Sequence, residues 1–322
     1  METLHIGVLR GGPSSEYNTS LKSGANVLRS LNTDRYQVRD IFIDREGVWH
    51  VRGVPTNPEQ ALHGIDVAFN ALRGEYGEDG TIQRILEKLA TPYTGSDAFA
   101  SALAMHKVRA KERAIEAGLK TPRFVVFRVT EDYEQRLLDL FRSFPMPVVV
   151  KPVGRGSSIG TSIAYGYSDL AESIAQAFTH SNQVLIEEYI RGPEATVGVV
   201  DDFRGADYYQ TLPVEIVRPK GEMIITSELK GCGLAIGQCP SAFSHGIKQE
   251  LQEAALRVHR VLGARHYSRS DFIVSPRGVY FLETNTLPSL SQEAPLIQAL
   301  NAAGSSLPEL VEHVVLLARR GK

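Results

Sequence analysis

The sequence has 322 residues, too many for one ordinary compact core, which predicts two or three domains. Its 43% hydrophobic and 22% charged residues are typical of a soluble globular protein, and the formal net charge of -2 excludes bulk attraction to nucleic acid or an anionic membrane. No apolar run is long enough to span a membrane, and the N-terminus lacks the features of a signal peptide. Only two cysteines in so long a chain favour a reducing compartment, so we expect a cytoplasmic protein. The two cysteines form no CxxC pair that could bind zinc.

The first part of the chain alternates strand and helix patterns. The predicted strands are 4–9, 38–43 and 66–72, and the predicted helices are 20–31 and 80–89. In the last of these segments, Ile82, Ile85 and Leu86 share one helical stripe. This alternation predicts a parallel α/β domain that ends near Gly95.

Beyond Gly95 the pattern becomes a mixture of short strands and fewer helices. Residues 99–117 are predicted to form one or two helices, closed by Gly118, which suits a helix C-terminus. Three further helices are predicted at 168–178, 247–262 and 307–320. The predicted strands are 124–129, 147–151, 161–164, 184–188, 196–200, 214–217, 271–274 and 279–282.

A glycine-rich segment extends from Lys151 to Gly160, directly after a predicted strand. Backbone N–H groups in such a loop approach phosphate oxygens closely, and Ser157 and Ser158 add donors. It is not a Walker A loop, because the lysine precedes the glycines, and its third glycine lies one position too late for a dinucleotide fingerprint. The following residues favour a strand, so we predict a hairpin flap over phosphates, with a plain hairpin turn as the alternative.

Two other polar segments also follow predicted strands. In residues 184–194 an apolar strand ends in carboxylates, and glutamates there suit an adenine edge and ribose hydroxyls. Residues 11–16 follow the first strand, at the end where α/β folds bind ligands, and Glu16 suits a substrate ammonium group. Ordinary polar turns are the alternatives for both segments.

A predicted β-hairpin near the C-terminus is the strongest sign of chemistry in the sequence. Pro276 suits the first corner of a type I turn, and Gly278 suits the left-handed position that closes a three-residue loop. Such a loop pairs Ser275 with Val279. A two-residue loop would instead place the carboxylates of the two strands on opposite faces.

Counted outward from that loop, Asp271 lies opposite Glu283 and Arg269 lies opposite Asn285, all on one face. Two carboxylates directly across a strand pair repel each other unless a cation lies between them. The oxygen ligands of Asp, Glu and Asn suit Mg²⁺, which bridges substrate phosphates, and Arg269 would help to neutralise a phosphate. We therefore predict a metal site, with a solvent-facing polar strand pair as the alternative.

These segments, in this order, resemble the D-alanine–D-alanine ligases of the ATP-grasp superfamily over nearly the whole chain. The motifs that carry the resemblance are Gly11-Gly-Pro-Ser-Ser-Glu16, Gly77-Glu-Asp-Gly-Thr-Ile-Gln83, Pro92-Tyr-Thr-Gly-Ser96, Met105-His-Lys107, Lys151-Pro152 with Gly156-Ser-Ser-Ile-Gly160, and Glu283-Thr-Asn-Thr-Leu-Pro288. The resemblance implies a mixed α/β, three-domain ATP-grasp fold. Its domains would be an N-terminal substrate-binding domain at 1–95, a central domain with the flap at 96–186, and a C-terminal domain at 187–322, with ATP between the last two.

The resemblance also implies an activity. ATP would phosphorylate the carboxylate of one D-alanine, and the amine of a second would displace the phosphate to give D-alanyl-D-alanine for peptidoglycan. The implied enzyme is a homodimer that uses amino acids as small-molecule substrates and binds neither nucleic acid nor membrane. Two alternatives stay open, which are a ligase for a different amino acid pair and a nucleotide-binding relative that has lost ligation.

Each site residue then has an implied role. Glu16, Ser157 and Arg269 would be catalytic, with Glu16 orienting the first ammonium group and Arg269 stabilising the transferring phosphoryl group. The residues that would bind ATP are Lys107, Lys151, Ser158, Glu187, Ile190 and Glu194. Two Mg²⁺ ions, or Mn²⁺, would bind to Asp271, Glu283 and Asn285. The second amino acid would lie near Lys230, Ser289 and Ala294.

Several positions differ from the family's usual residues. Arg73 replaces a histidine, and Gly231 stands after Lys230 where the family has tyrosine, or histidine in relatives that accept lactate. Ser289 and Ala294 replace a glycine and a serine that help to hold the second substrate's carboxylate. The differences affect the amino acid subsites and leave the ATP and metal residues unchanged.

Overall fold

The computed structural model describes residues 3–129, 134–156, 158–219, 221, 223–224 and 236–321. Within these ranges the strands form three β-sheets, one near each end of the chain and one between them. The mixed α/β architecture and the change of pattern after Gly95 agree with the sequence-based prediction.

The N-terminal sheet contains β1 (Leu4–Gly11), β2 (Tyr36–Ile43), β3 (Trp49–Val51), β4 (Val54–Thr56) and β5 (Val67–Asn70), in the order β4-β3-β2-β1-β5. Strands β2 and β5 lie parallel to the central β1, while β3 and β4 form an antiparallel extension that the sequence did not predict. The helices of this region are α1 (Tyr17–Ser30), α2 (Pro58–Leu62) and α3 (Thr81–Lys88). The carboxyl end of β1 leads directly to Glu16, as the α/β pattern predicts.

Two short helices connect this region to the rest of the chain. Helix α4 (Ala98–Met105) begins at Asp97, whose Oδ1 atom accepts a hydrogen bond from the N–H of Ala100 at 2.8 Å. Helix α5 (Lys107–Glu116) follows, and Gly118 adopts a φ of 76° just beyond its end. Small residues of both helices pack in one hydrophobic cluster with the C-terminal sheet. This packing places the first turn of α5 beside that sheet.

The central sheet contains β6 (Phe124–Arg128), β7 (Val148–Pro152), β8 (Ser162–Ala164) and β9 (Gln183–Glu188), all antiparallel, in the order β6-β9-β7-β8. Helices α6 (Glu134–Ser143) and α7 (Tyr167–Phe178) supply residues to its core. The glycine-rich segment connects β7 to the antiparallel β8. It therefore forms the hairpin that was predicted, and no helix follows it directly.

The C-terminal sheet is antiparallel. It contains β10 (Glu194–Phe203), β11 (Ala206–Gln210), β12 (Val214–Val217), β13 (Ile236–Gln238), β14 (Tyr267–Ser275) and β15 (Gly278–Asn285), in the order β13-β12-β10-β14-β15 with β11 on β10. Helix α8 (His245–Val261) packs on it, and α9 (Pro295–Ala302) and α10 (Leu307–Arg319) complete the chain. Residues of α9 and α10 share a hydrophobic cluster with β1 and α1, so the two ends of the chain form a common core.

The turn of the β14–β15 hairpin differs from the prediction. Ser275 pairs with Gly278, so the loop has two residues, and the predicted pairing of Ser275 with Val279 is wrong. A β-bulge at Leu282 restores the register, because it adds one residue to β15 between the partners of Phe272 and Asp271. The bulge reverses the facing of the residues beyond it, which brings the acidic side chains back to one face.

The division into domains at 1–95, 96–186 and 187–322 stays a prediction. The central sheet extends to Glu188, and α4 and α5 pack on the C-terminal sheet. In the part of the chain that the structure describes, no helix is long and apolar enough to cross a membrane.

Candidate active site

A cavity lies where elements of all three regions meet. The loops after β1 and β5, the junction of α4 and α5, the glycine-rich hairpin and the end of β15 line it. The lining residues are Glu16, Gly74, Glu78, Ala104, Met105, Lys107, Arg155, Gly156 and 283–286. Four of the residues predicted to bind ligands thus come together in one place, namely Glu16, Lys107, Glu283 and Asn285.

Glu16 lies in the cavity wall at the start of α1, and only 7% of the residue is exposed. Its Oε2 atom accepts a hydrogen bond from Nη2 of Arg73 at 2.8 Å. The other oxygen, Oε1, lies against the flap, since a Cβ atom added at Gly156 would stand 2.8 Å from it. Glycine at position 156 therefore permits the flap to approach this carboxylate closely.

Arg73 and Glu78 form a buried ion pair behind Glu16. Nη1 of Arg73 lies 3.7 Å from Oε2 of Glu78, and the arginine side chain is 7% exposed. Burial lowers the pKa of Arg73, but the charges of Glu16 and Glu78 raise it above its ordinary value. Burial also raises the pKa of Glu78, which Arg73 opposes. The sequence motif that contains Glu78 did not reveal its contact with Arg73.

A second buried cluster joins α5 to the central sheet. Glu187, 1% exposed, lies between Nζ of Lys111 and Nζ of Lys151, each 2.5 Å from one carboxylate oxygen. Burial raises the pKa of Glu187, but the two lysines lower it to about 2. Burial lowers the pKa of Lys111 to about 8. Burial also lowers the pKa of Lys151, but the charge and hydrogen bond of Glu187 raise it above its ordinary value. Glu187 thus fixes Lys151 at the base of the flap.

The acidic residues of the β14–β15 hairpin share one face, as predicted. Asp271 pairs with Glu283, and Arg269 pairs with Asn285. Each carboxylate also has a basic partner. Arg269 donates to both oxygens of Asp271, at 3.1 Å from Nε and 3.0 Å from Nη2, and Lys107 lies 2.5 Å from Oε2 of Glu283.

The flap is connected to the N-terminal region by an ion pair that the sequence did not indicate. Nη1 of Arg155 lies 3.1 Å from Oε1 of Glu75, and its Nε donates to the carbonyl of His180 at 2.9 Å. Oε2 of Glu75 accepts hydrogen bonds from Ser15, at 2.9 Å from the hydroxyl and 3.2 Å from the backbone N–H. The flap is therefore linked to the loop that carries Glu16.

The remaining predicted site residues have the following positions. Ile190, 2% exposed, and Glu194 lie where the chain passes from the central to the C-terminal sheet, and Ser158 lies in the flap with a φ of 59°. Ser289 and the buried Ala294 lie between β15 and α9. Two other residues, Ser157 and Lys230, are outside the described residues.

Two family models match most of the chain. The family model of the D-ala D-ala ligase N-terminus matches residues 5–64 and 50–96, and that of the D-ala D-ala ligase C-terminus matches residues 114–316. The chain is 37% identical over 310 residues to the D-alanine–D-alanine ligase of Syntrophotalea carbinolica, covering 96% of this chain and 94% of that protein. It is 39% identical over 324 residues to that of Pelobacter propionicus, covering 97% and 95%.

Solved structures show the same similarity. The crystal structure of D-alanine–D-alanine ligase from Bacillus anthracis complexed with ATP superposes with a TM-score of 0.82 at 28% identity, covering 99% of this chain and 98% of that one. The VanG D-Ala:D-Ser ligase from Enterococcus faecalis gives a TM-score of 0.85 at 26% identity, covering 98% and 100%. This similarity over the full length shows that the chain has the ATP-grasp fold and belongs to the D-alanine–D-alanine ligase family.

Proposed function

We propose that this chain is an ATP-dependent ligase that joins two D-alanine molecules into D-alanyl-D-alanine. The observation that carries the proposal is the cavity in which Glu16, Lys107 and Glu283 meet. The reaction needs a carboxylate for an ammonium group, a cation for phosphate and oxygen ligands for a metal, and these residues supply one of each. The curated relatives named above are ligases for the same substrates by name.

The reaction has two steps. First, the γ-phosphoryl group of ATP moves to a carboxylate oxygen of the first D-alanine, which gives an acyl phosphate and ADP. Second, the deprotonated amine of the second D-alanine attacks the acyl carbon, and inorganic phosphate leaves from the tetrahedral intermediate. Neither step needs a covalent bond to the protein, so the chain contributes positioning and charge neutralisation.

We assign Glu16 to the ammonium group of the first D-alanine, because one of its oxygens faces the flap while Arg73 holds the other. Arg269 would neutralise the transferring phosphoryl group and the oxyanion, and Ser157 would hydrogen-bond near the first substrate. The ATP phosphates would contact Lys107, Lys151 and Ser158. Adenosine would lie near Glu187, Ile190 and Glu194, where the two antiparallel sheets adjoin.

The residues of the β14–β15 face fit Mg²⁺, and Mn²⁺ as a substitute. Asp271, Glu283 and Asn285 offer oxygen atoms, which hard divalent cations prefer. The positive charges of Arg269 and Lys107 each balance one carboxylate of this face. A divalent cation would supply positive charge at the same place. Asp271, Glu283 and Asn285 would hold the two ions, which would supply positive charge to neutralise the phosphate groups of ATP.

A ligase of this family for a different amino acid pair is the second candidate. Ala294 is 4% exposed at the start of α9 and has no hydroxyl group to donate to a substrate carboxylate. Loss of one charge-assisted hydrogen bond weakens binding by roughly 1.5–3 kcal/mol. A purely nucleotide-binding relative is disfavoured, because a protein without catalysis has no need of the facing Asp271 and Glu283 carboxylates.

Phosphate release with ATP and Mg²⁺, measured across D- and L-amino acids alone and in pairs, tests the proposal. We expect release with D-alanine alone, and a product with the mass of D-alanyl-D-alanine. Ala294→Ser is the informative variant, and we expect it to lower the KM for the second D-alanine. A product that contains D-alanine only in the first position would favour the second candidate. No release with any amino acid would contradict ligation.

We also propose that the enzyme works in the cytoplasm, as a homodimer, in the synthesis of peptidoglycan precursors. The low cysteine count supports a reducing compartment, and the relatives' reaction gives the dipeptide that such precursors contain. Size-exclusion chromatography with light scattering tests the dimer.

A further inference from the structure

The loop between β15 and α9 is held by side chains of the N-terminal region. Both backbone polar groups of Leu287 are bound there. Its N–H donates to Oε1 of Glu78 at 2.9 Å, and its carbonyl accepts from Nη1 of Arg73. Because Arg73 and Glu78 are themselves an ion pair, the Leu287 backbone is clamped between two charged groups that are both buried.

The same loop is held a second time at Leu290. Its N–H donates to Oγ of Ser23 at 3.2 Å, and its carbonyl accepts from Nδ2 of Asn26 at 2.9 Å. Both partners lie on α1, the helix that begins directly after Glu16. Ser289, one residue before Leu290, therefore has a position that is set by the N-terminal region.

Arg73 is the residue that joins this loop to the first amino acid subsite. Nη2 binds Glu16 and Nη1 binds the carbonyl of Leu287, so one rigid guanidinium group connects the two. Arg73 does not line the cavity, whereas Glu16 and Glu78 do. It is 6% exposed, and its Nε atom has no hydrogen-bond partner. Its effect on a substrate therefore has to pass through Glu16 and the loop.

We propose that Arg73 is a positioning residue that couples the two amino acid subsites. By holding one carboxylate oxygen of Glu16 it directs the other towards the first amino acid, and it holds the loop that carries Ser289 for the second. This inference rests on the proposed ligase function and goes beyond it, because it makes binding at the two amino acid subsites depend on one side chain. The ATP and metal residues contact other groups, so ATP binding is independent of Arg73.

The geometry also predicts how substitutes for Arg73 differ. Lysine keeps the charge but offers a single ammonium group, which cannot reach Glu16 and Leu287 with the same fixed spacing. Glutamine removes the charge and leaves two carboxylates, Glu16 and Glu78, without their shared cation. Ser23→Ala is the matched control, since it removes one hydrogen bond to the loop and does not contact Glu16.

The experiment uses the full chain and measures the two Michaelis constants for D-alanine from phosphate release, together with the Kd for ATP by calorimetry. We expect Arg73→Gln to raise both constants by about tenfold or more and to leave the Kd for ATP within about twofold. Arg73→Lys should raise the second constant more than the first. Ser23→Ala should raise the second constant alone.

The outcomes separate the inference from the function. If the parent ligates D-alanine and Arg73→Lys leaves both constants unchanged, the coupling is wrong and the function stands. An equal weakening of ATP binding would show a general structural role and also overturn the coupling. If Arg73→Gln does not fold, Arg73→Lys and Ser23→Ala still decide. A parent chain without amino acid-dependent phosphate release contradicts the function and the inference together.

Discussion

Glu187 and Lys111 form an ion pair whose side chains are both 1% exposed. The position of Lys111 on α5 explains why the sequence did not indicate this pair. Lys107 and Lys111 are one helical turn apart in a segment rich in charged residues, a pattern that usually predicts a solvated face. Only the packing of α5 against the C-terminal sheet shows that this face is covered. Lys107 was identified through a family motif and Glu187 as a carboxylate at the end of a predicted strand, whereas Lys111 had no such signal.

Glu187→Gln should destabilise the fold, because it leaves Lys111 buried without its counter-charge and removes the partner of Lys151. Removal of one member of a buried ion pair typically lowers the free energy of unfolding by about 3–5 kcal/mol. Urea unfolding at neutral pH measures the change. Glu112→Gln is the control, since Glu112 forms an exposed pair with Arg109, and its expected effect is below about 1 kcal/mol. Equal stability of Glu187→Gln and the parent would contradict the buried cluster.

The same residue predicts a pH dependence. The folded pKa of Glu187 is lowered to about 2 from an ordinary value of 4.5. A carboxyl with a depressed folded pKa contributes stability that is complete above pH 4.5 and is lost as the pH falls towards 2. The free energy of unfolding of the parent should therefore fall across this window. In Glu187→Gln it should fall less steeply, and identical slopes would show that Glu187 does not titrate as described.

At the scale of elements, the β14–β15 hairpin shows what the alternation of side chains along a strand can and cannot predict. The pairing of Asp271 with Glu283 was predicted correctly from a loop of the wrong length, because the bulge at Leu282 offset the shorter turn. A bulge depends on local backbone geometry and has no reliable signature in residue type. Most of the long elements were found within a few residues of their ends, although α6 was not predicted. Short ones such as α9 and β3 were missed, because few residues carry their pattern.

Glu283→Gln should nearly abolish phosphate release, because it removes one charged oxygen ligand from the proposed metal site. The structure also indicates its effect on stability. Glu283 is paired with Lys107, which is 9% exposed, so the relief of repulsion from Asp271 is offset by an uncompensated lysine. We expect the metal-free variant to be less stable than the parent by about 1–3 kcal/mol, measured by thermal unfolding. Normal turnover at saturating ATP and Mg²⁺ would contradict the metal assignment.

At the scale of the whole molecule, the site exists only where regions distant in sequence meet. Sequence motifs identified Glu16, Lys107 and Glu283 separately, and the structure brings them to one cavity. Their convergence could be inferred from the family resemblance but not from local patterns, since it depends on how the three sheets pack. The contacts that hold the regions together, such as Arg73 with Leu287, join residues over 200 positions apart and leave no periodic signal.

The ion pair between Arg155 and Glu75 is the contact that joins the flap to the N-terminal region, at 3.1 Å. Arg155 is 42% exposed, so solvent screens the pair and its contribution should be only about 0.2–1 kcal/mol. That energy corresponds to at most about a fivefold shift in the opening of the flap. Arg155→Gln should therefore accelerate hydrogen exchange of the amides at 154–156 and 158–160 by up to this factor. The fold should keep its stability.

Salt provides the check on this mechanism, because added salt screens a partly exposed ion pair. In the parent, flap exchange should accelerate between low and high ionic strength, and in Arg155→Gln this salt effect should largely disappear. Arg109→Gln is the matched control, as it removes an exposed ion pair far from the flap in the chain. The double variant Arg155→Gln with Glu75→Gln should exchange no faster than either single variant, since either substitution alone already removes the ion pair. Additive acceleration would mean that the two side chains act on the flap separately, and the link between the flap and the Glu16 loop would then be wrong.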